Sequence, residues 1–174
     1  MRPLIVTEFV TLDGVVEGFS PHLYEVGAAV IDRATTAYLF GRRTYDELAA
    51  FWAEQPASDE VADHFNSMQK YVVSRSLTWP KWANTQVLAG DLAGAVNSLK
   101  SRGVGNVVVL GSGNLVQELM KYDLVDGYRL FVHPVVLGTG RRLFRDLDQP
   151  SRLRLVDTQT LGGGVLVLNY ARVR

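Results

Sequence analysis

Apolar residues fall along this chain in short runs broken by glycine and polar clusters, and the runs switch between strand-like and helix-like spacing. Leu4–Val10, rich in β-branched and aromatic residues, reads as a buried first strand. A loop over Thr11–Pro21 follows, punctuated by Asp13-Gly14, Gly18 and Pro21. Val26, Ala29 and Val30 recur at helical spacing and predict a first helix over Leu23–Thr35. Ala37–Phe40 is a short apolar strand that ends at Gly41, ahead of a helix from Thr44 to Trp52. Ser58 is the expected N-cap of the next helix, which runs to Ser67, because its hydroxyl can accept from a free backbone N–H.

Lys70–Ser74 and Gln86–Leu88 read as strands, and Asp91 as the cap of a helix that stops near Gly103. Val107–Leu110 is an unbroken apolar run, too short for a helix and suited to a strand covered on both faces. Gly111-Ser112-Gly113 turns it into a helix over Asn114–Tyr122. Gly127–Val132 is a strand, and two more, Leu153–Thr160 and Val165–Val173, flank a Gly162-Gly163-Gly164 turn. Strands alternate with helices until an antiparallel ending. The expectation is one α/β domain over residues 1–174, three layers (α/β/α) around a mixed, mainly parallel sheet with an antiparallel C-terminal hairpin.

Charge narrows the partners. Eighteen basic residues balance eighteen acidic ones, so no overall field draws in nucleic acid or an anionic membrane, and anion recognition has to be local. No apolar run reaches the roughly 20 residues of a membrane span, and Glu8 interrupts the N-terminus too early for a secretory leader. The expected location is the cytoplasm. The absence of cysteine removes disulfides, thiolate nucleophiles and Cys-ligated metals, and three scattered histidines make no metal site.

Three strand ends carry residues suited to phosphate. In Val107–Leu119, glycines after a buried strand let a phosphate approach the backbone, and the following helix aims free N–H groups at it. A ligand-free tight turn is the equal alternative. A Rossmann reading fits badly, since Gly111-Ser112-Gly113-Asn114-Leu115-Val116 lacks the third glycine and no acidic residue follows about 20 positions on. In Gly41-Arg42-Arg43-Thr44-Tyr45, Thr44 is the expected helix cap while the arginines present guanidinium forks. Ser74-Arg75-Ser76 sets a hydroxyl beside a guanidinium, a seat for a phosphate monoester. In open α/β sheets, ligands gather beyond the carboxyl ends of the strands.

The ordered set Leu12-Asp13-Gly14, Gly41-Arg42-Arg43-Thr44-Tyr45, Ser74-Arg75, Gly111-Ser112-Gly113 and His133-Pro134-Val135-Val136-Leu137-Gly138-Thr139-Gly140 resembles the dihydrofolate reductase superfamily. More narrowly, it is similar to the reductase domain of bifunctional riboflavin biosynthesis proteins and its stand-alone bacterial relatives. That resemblance implies NADPH as cofactor. It places Gly41, Arg42, Thr44, Gly111, Ser112, Gly113 and Asn114 around the pyrophosphate, and Ser74 and Arg75 at the adenosine 2′-phosphate. The Leu12–Gly14 loop would lie near the nicotinamide and substrate. It leans towards a homodimer acting on a small molecule. The zinc deaminase that precedes this domain in full-length relatives has no counterpart in a chain without cysteine.

For the proton donor, Glu25 stands near the position of the helix-borne acid of folate-reducing members, with a solvated surface charge as its alternative. Asp13 is the second candidate, and shaping its own loop by an Asx-turn is its alternative. Gly138-Thr139-Gly140-Arg141-Arg142 is a basic glycine-rich segment able to hold a polar substrate, and His133 reads as a packed histidine. Two functions are carried forward. One is an NADPH-dependent reductase of a small heteroaromatic or carbonyl compound, with a riboflavin-pathway pyrimidine or a pterin as candidate substrate. The other is a nucleotide-binding or regulatory homodimer that keeps the fold with weak catalysis.

Overall fold

The computed structural model describes residues 1–17, 26–56, 58–145 and 149–173. Eight strands form one sheet: β1 (Leu4–Thr11), β2 (Thr35–Gly41), β3 (Gln69–Val73), β4 (Thr85–Leu88), β5 (Asn106–Leu110), β6 (Gly127–His133), β7 (Leu153–Thr160) and β8 (Leu166–Arg172). Their spatial order is β4-β3-β2-β5-β1-β6-β8-β7. All pairings from β4 to β6 are parallel, and β8 runs against both β6 and β7. The mixed, mainly parallel sheet and its C-terminal hairpin are as expected.

Alternation along β1 sorts the two layers. Leu4, Val6 and Val10 face a core shared with Val96 of α3 (Leu92–Ser101) and with Leu115, Val116 and Leu119 of α4 (Gly113–Lys121). Ile5 and Phe9 face the other core, which holds Tyr45 and Trp52 of α1 (Arg42–Trp52) and Ala62 and Phe65 of α2 (Glu60–Ser67). Val107–Leu110 is buried throughout, as a strand covered on both sides should be.

Three local expectations need correction. A continuous helix over Leu23–Thr35 is not formed in its described part. Gly27–Val30 makes one 3₁₀ turn, the Asp32 carboxylate then accepts from Ala34 N, and Thr35 already belongs to β2. Local side-chain bonding and β-branched Thr35-Thr36 win over the apolar spacing. The cap of α2 is Asp59, not Ser58; its carboxylate accepts from Val61 N and Ala62 N at 2.9 and 3.0 Å. Thr44 caps nothing, because α1 begins at Arg42 directly on the end of β2, which places Thr44 inside the first turn.

Buried charge ties the layers together. Lys70 Nζ donates to Phe65 O, Asn66 O and Met68 O at 2.7, 3.2 and 2.7 Å, closing the C-terminal end of α2. Lys100 Nζ meets Asp126 Oδ2 at 2.6 Å, and the same oxygen accepts from Leu4 N, which anchors the first residue of β1. Among the described residues no helix is long and apolar enough to cross a membrane, and no group of three acidic or histidine side chains could hold a metal.

Candidate functional site

The carboxyl ends of β2, β3 and β5 lie side by side, with Gly41 opposite Val73, and β5 ends against the middle of β1, where Thr7 stands opposite Leu110. At the end of β2, Gly41 has extended dihedrals (φ −74°, ψ 157°) and serves as N-cap of α1 without a side-chain bond. The first N–H groups of that helix are therefore left for solvent or a ligand. The helix over Asn114–Tyr122 anticipated after Gly113 begins one residue earlier, at Gly113 itself.

The turn from β5 into α4 needs two successive residues at positive φ, Gly111 (+60°) and Ser112 (+67°). Gly111 N donates to Thr7 O, which holds the turn against β1. Ser112 does not cap α4, because its Oγ accepts from Gly41 N at 3.0 Å instead. The two turns approach so closely that a Cβ on Gly111 would stand 3.2 Å from Thr44 Cγ2. A side chain here would crowd the Thr44 methyl by a few tenths of an ångström, on a left-handed backbone that disfavours it.

Between those starts opens a cleft of about 810 Å³. Gly41, Arg42, Thr44, Gly111, Ser112, Gly113 and Asn114, all anticipated from the sequence, line it together. Its cations are partnered locally. Arg42 pairs with Asp46 at 2.6 Å, Arg43 with Glu47 at 2.9 Å, and Arg141 with Glu17 at 3.1 Å, with a further hydrogen bond from Arg141 to Asn114. Exposed i,i+4 pairs on a helix are worth only about 0.3–0.5 kcal/mol. An incoming phosphate could take over Arg42 or Arg43 at small cost.

Glu8 also lines this cleft, and sequence reading passed over it. It sits in β1 between Val6 and Val10, on the α4 side of the sheet, and is only 5% exposed. Its Oε1 has no hydrogen-bond partner among the described residues. Burial pushes the carboxyl up to about 8, so it is mostly protonated at neutral pH. A buried orphan polar atom costs on the order of 1–3 kcal/mol. The available signal was an acid in the inward phase of an otherwise apolar strand.

The remaining anticipated residues stand outside the cleft wall. Ser74 is buried just beyond β3, where its Oγ accepts from Ser76 N and Leu77 N at 3.2 and 3.1 Å, and Arg75 beside it is exposed. Asp13 is bound into the loops: its carboxylate accepts from Thr11 Oγ1 at 2.6 Å, Gly138 N at 2.8 Å and Leu137 N at 3.3 Å. These bonds hold it down at about 2. Asp13 thus clamps the Leu12–Gly14 turn to the segment after β6. Glu25 lies outside the described residues. His133 is buried at the end of β6 with its ring centroid 6.2 Å from that of Phe9.

Residues 2–167 match the RibD C-terminal domain family. The chain belongs to that family. It is 31% identical over 186 aligned positions to the uncharacterized protein YyaP of Bacillus subtilis (strain 168), covering 97% of this chain and 94% of that one. Among solved structures it superposes on a protein of Shewanella sp. PV-4, provisionally assigned to riboflavin biosynthesis, with a TM-score of 0.76 at 20% identity, over 99% of this chain and 100% of the other. The diaminohydroxyphosphoribosylaminopyrimidine deaminase/5-amino-6-(5-phosphoribosylamino)uracil reductase of Thermotoga maritima gives a TM-score of 0.63 at 15% identity, with 99% of this chain matching 57% of that protein. These likenesses establish a dihydrofolate reductase-like fold for this RibD C-terminal domain.

Proposed function

We propose that this chain is an NADPH-dependent reductase of a small heteroaromatic or carbonyl compound. The observation that carries the reading is the convergence of two helix N-termini without side-chain caps, those of α1 and α4, on one cleft. Each offers free N–H groups and the positive end of a helix dipole, and the pair suits the two phosphates of a dinucleotide. Glycine at 111 keeps the backbone of this turn bare, which suits close backbone–phosphate contact, whereas a Cβ there would crowd Thr44 Cγ2 at 3.2 Å.

In this reading the pyrophosphate lies between Gly41–Thr44 and Gly111–Asn114. The 2′-phosphate falls to Ser74 and Arg75, one strand over. Ser74 Oγ already accepts two backbone N–H groups, so its own hydrogen is free to donate to a phosphate oxygen. Arg75 is exposed and has no ion-pair partner among the described residues, which suits a residue held for an incoming anion. When bound, the cofactor supplies the hydride. The chain positions it, and the Asp13 clamp keeps the two loops bordering the nicotinamide end in register.

The likeness in fold to the Thermotoga maritima uracil reductase makes a phosphoribosylaminopyrimidine the first substrate to test, and a pterin the second. The working form is a cytoplasmic homodimer. Its support is β7, the outermost strand of the sheet, whose Leu155 and Val156 are exposed. The test is NADPH oxidation followed spectrophotometrically against a panel of pyrimidines and pterins. Consumption with a member of the panel is expected; binding of NADPH without turnover of any would favour the regulatory module instead.

A further inference from the structure

Glu8 has no evident structural work. Leu4, Val6 and Val10, in the same phase of β1, are apolar and pack under α4, and a leucine at position 8 would continue that face. The chain instead carries a carboxyl there, nine-tenths buried, beside the Gly111 turn and in the wall of the cleft. A buried polar group without a protein partner calls for an explanation, and one set in a cleft wall is placed to meet a ligand or a water.

The surroundings say what sort of partner. The charged groups that share the cleft are Glu17 from the loop after β1, Arg42, Arg43 and Glu47 from α1, and Arg141 from the segment after β6. Each arginine is already paired with another acid: Arg42 with Asp46, Arg43 with Glu47, Arg141 with Glu17. On α4 the neighbours are Gly113, Asn114 and Leu115, which are uncharged. No cation among the described residues pairs with Glu8, and a phosphate would be repelled by its ionised form. What fits is a neutral group. A carboxylic acid presents one O–H donor and one C=O acceptor side by side, and a primary amide presents the complementary pair.

We propose that the Glu8 carboxyl is the cleft's hydrogen-bond partner for a primary carboxamide, the group carried by a nicotinamide ring. This rests on the reading of the cleft as a dinucleotide site and adds a residue to it: Glu8 selects for the nicotinamide end, while the glycine turns and Arg75 hold the phosphates. Because the pairing needs the acid's proton, nicotinamide recognition weakens as the side chain ionises, at the pH to which burial has moved it, about 8.

The experiment compares two ligands, NADPH and 2′-phospho-ADP-ribose, which keeps the phosphates and lacks the nicotinamide. Each is titrated into wild type, Glu8→Gln and Glu8→Leu from mildly acidic to alkaline pH. Wild type should hold NADPH evenly below pH 8 and lose up to about tenfold in affinity per unit above it. Glu8→Gln, whose amide keeps a donor and an acceptor, should bind NADPH with no such fall. Glu8→Leu should bind NADPH about tenfold more weakly than wild type does below pH 8, with no fall above it, so that the two converge at alkaline pH. The shorter ligand should respond to neither substitution. Thermal melts of the two variants, which replace the carboxyl with groups of similar volume, report that they fold. Equal losses for both ligands in Glu8→Leu, or NADPH binding by wild type that ignores pH across this range, would overturn the assignment while leaving the dinucleotide site standing. Failure of wild type to bind either ligand would overturn the site and the Glu8 contact together.

Discussion

Ser112 Oγ accepts the backbone N–H of Gly41 at 3.0 Å, so a residue in left-handed conformation at the end of β5 stitches the start of α1 to the start of α4. The bond spans 71 positions of chain and fixes the spacing of the two helix N-termini across the cleft. Ser112→Ala keeps the strained backbone but leaves Gly41 N unpaired. The expected cost is about 1–2 kcal/mol of stability by denaturant unfolding. A larger effect is expected on NADPH affinity than on that of a free nicotinamide nucleotide without the pyrophosphate, measured by calorimetry.

Arg75 tests the 2′-phosphate seat. Arg75→Ala should weaken NADPH by about tenfold or more, the value of one charge-assisted contact, and leave NADH nearly unchanged. The ratio of the two dissociation constants is the readout, since a general folding defect would move both.

Much of this arrangement could be read from the chain before its structure was known. Glycine turns after apolar runs announced both helix starts at the cleft, because glycine is favoured where the backbone takes positive φ, as at Gly111, or where two loops pass closely. Val107–Leu110 declared a doubly covered strand by having no polar phase. What escaped depended on longer-range geometry. Asp59 and Ser58 are both good caps, and only the entry angle of the chain decides between them. The segment around Gly27–Val30 has helical spacing but its backbone is claimed by a local Asp32 turn. Glu8 was hidden for a related reason: which face of β1 it occupies becomes meaningful only once α4 is known to lie over that face.

Glu8 also makes a prediction for stability. Its carboxyl is raised in the folded state, from the ordinary 4.5 to about 8, so the folded protein holds a proton that the unfolded chain releases between those values. The stabilising contribution is complete below the unfolded pKa and is lost as pH rises through about 8, at up to about 1.4 kcal/mol per pH unit. Glu8→Gln removes that slope. Denaturant midpoints for wild type and variant should diverge across this window, with the variant gaining at the alkaline end; parallel curves would show that Glu8 ionises freely.

Lys70 is expected to be the costliest buried polar side chain to replace on the opposite layer. Its ammonium satisfies three carbonyls at the end of α2 and lies 4.8 Å from the ring centroid of Trp82. Lys70→Met fills the same space but strands those carbonyls, for a loss of about 3 kcal/mol in chemical denaturation. Because Trp82 packs against Phe40, Tyr45 and Phe65, its emission should shift in the folded variant.

The homodimer reading is checked at the free edge of β7. Sedimentation of wild type should give twice the 19.3 kDa chain mass, and Leu155→Arg should give a monomer that still binds NADPH. A wild-type monomer at micromolar concentration would remove the dimer from the account without touching the cleft.

The central claim is that the two helix starts tied together by Ser112 hold an NADPH. The direct measurement is a fluorescence titration of the unmodified protein with NADPH and NADH, following Trp52, Trp79 and Trp82. Saturable quenching by both is expected, with NADPH the tighter ligand. Equal affinity for the two, or no quenching by either, would contradict it.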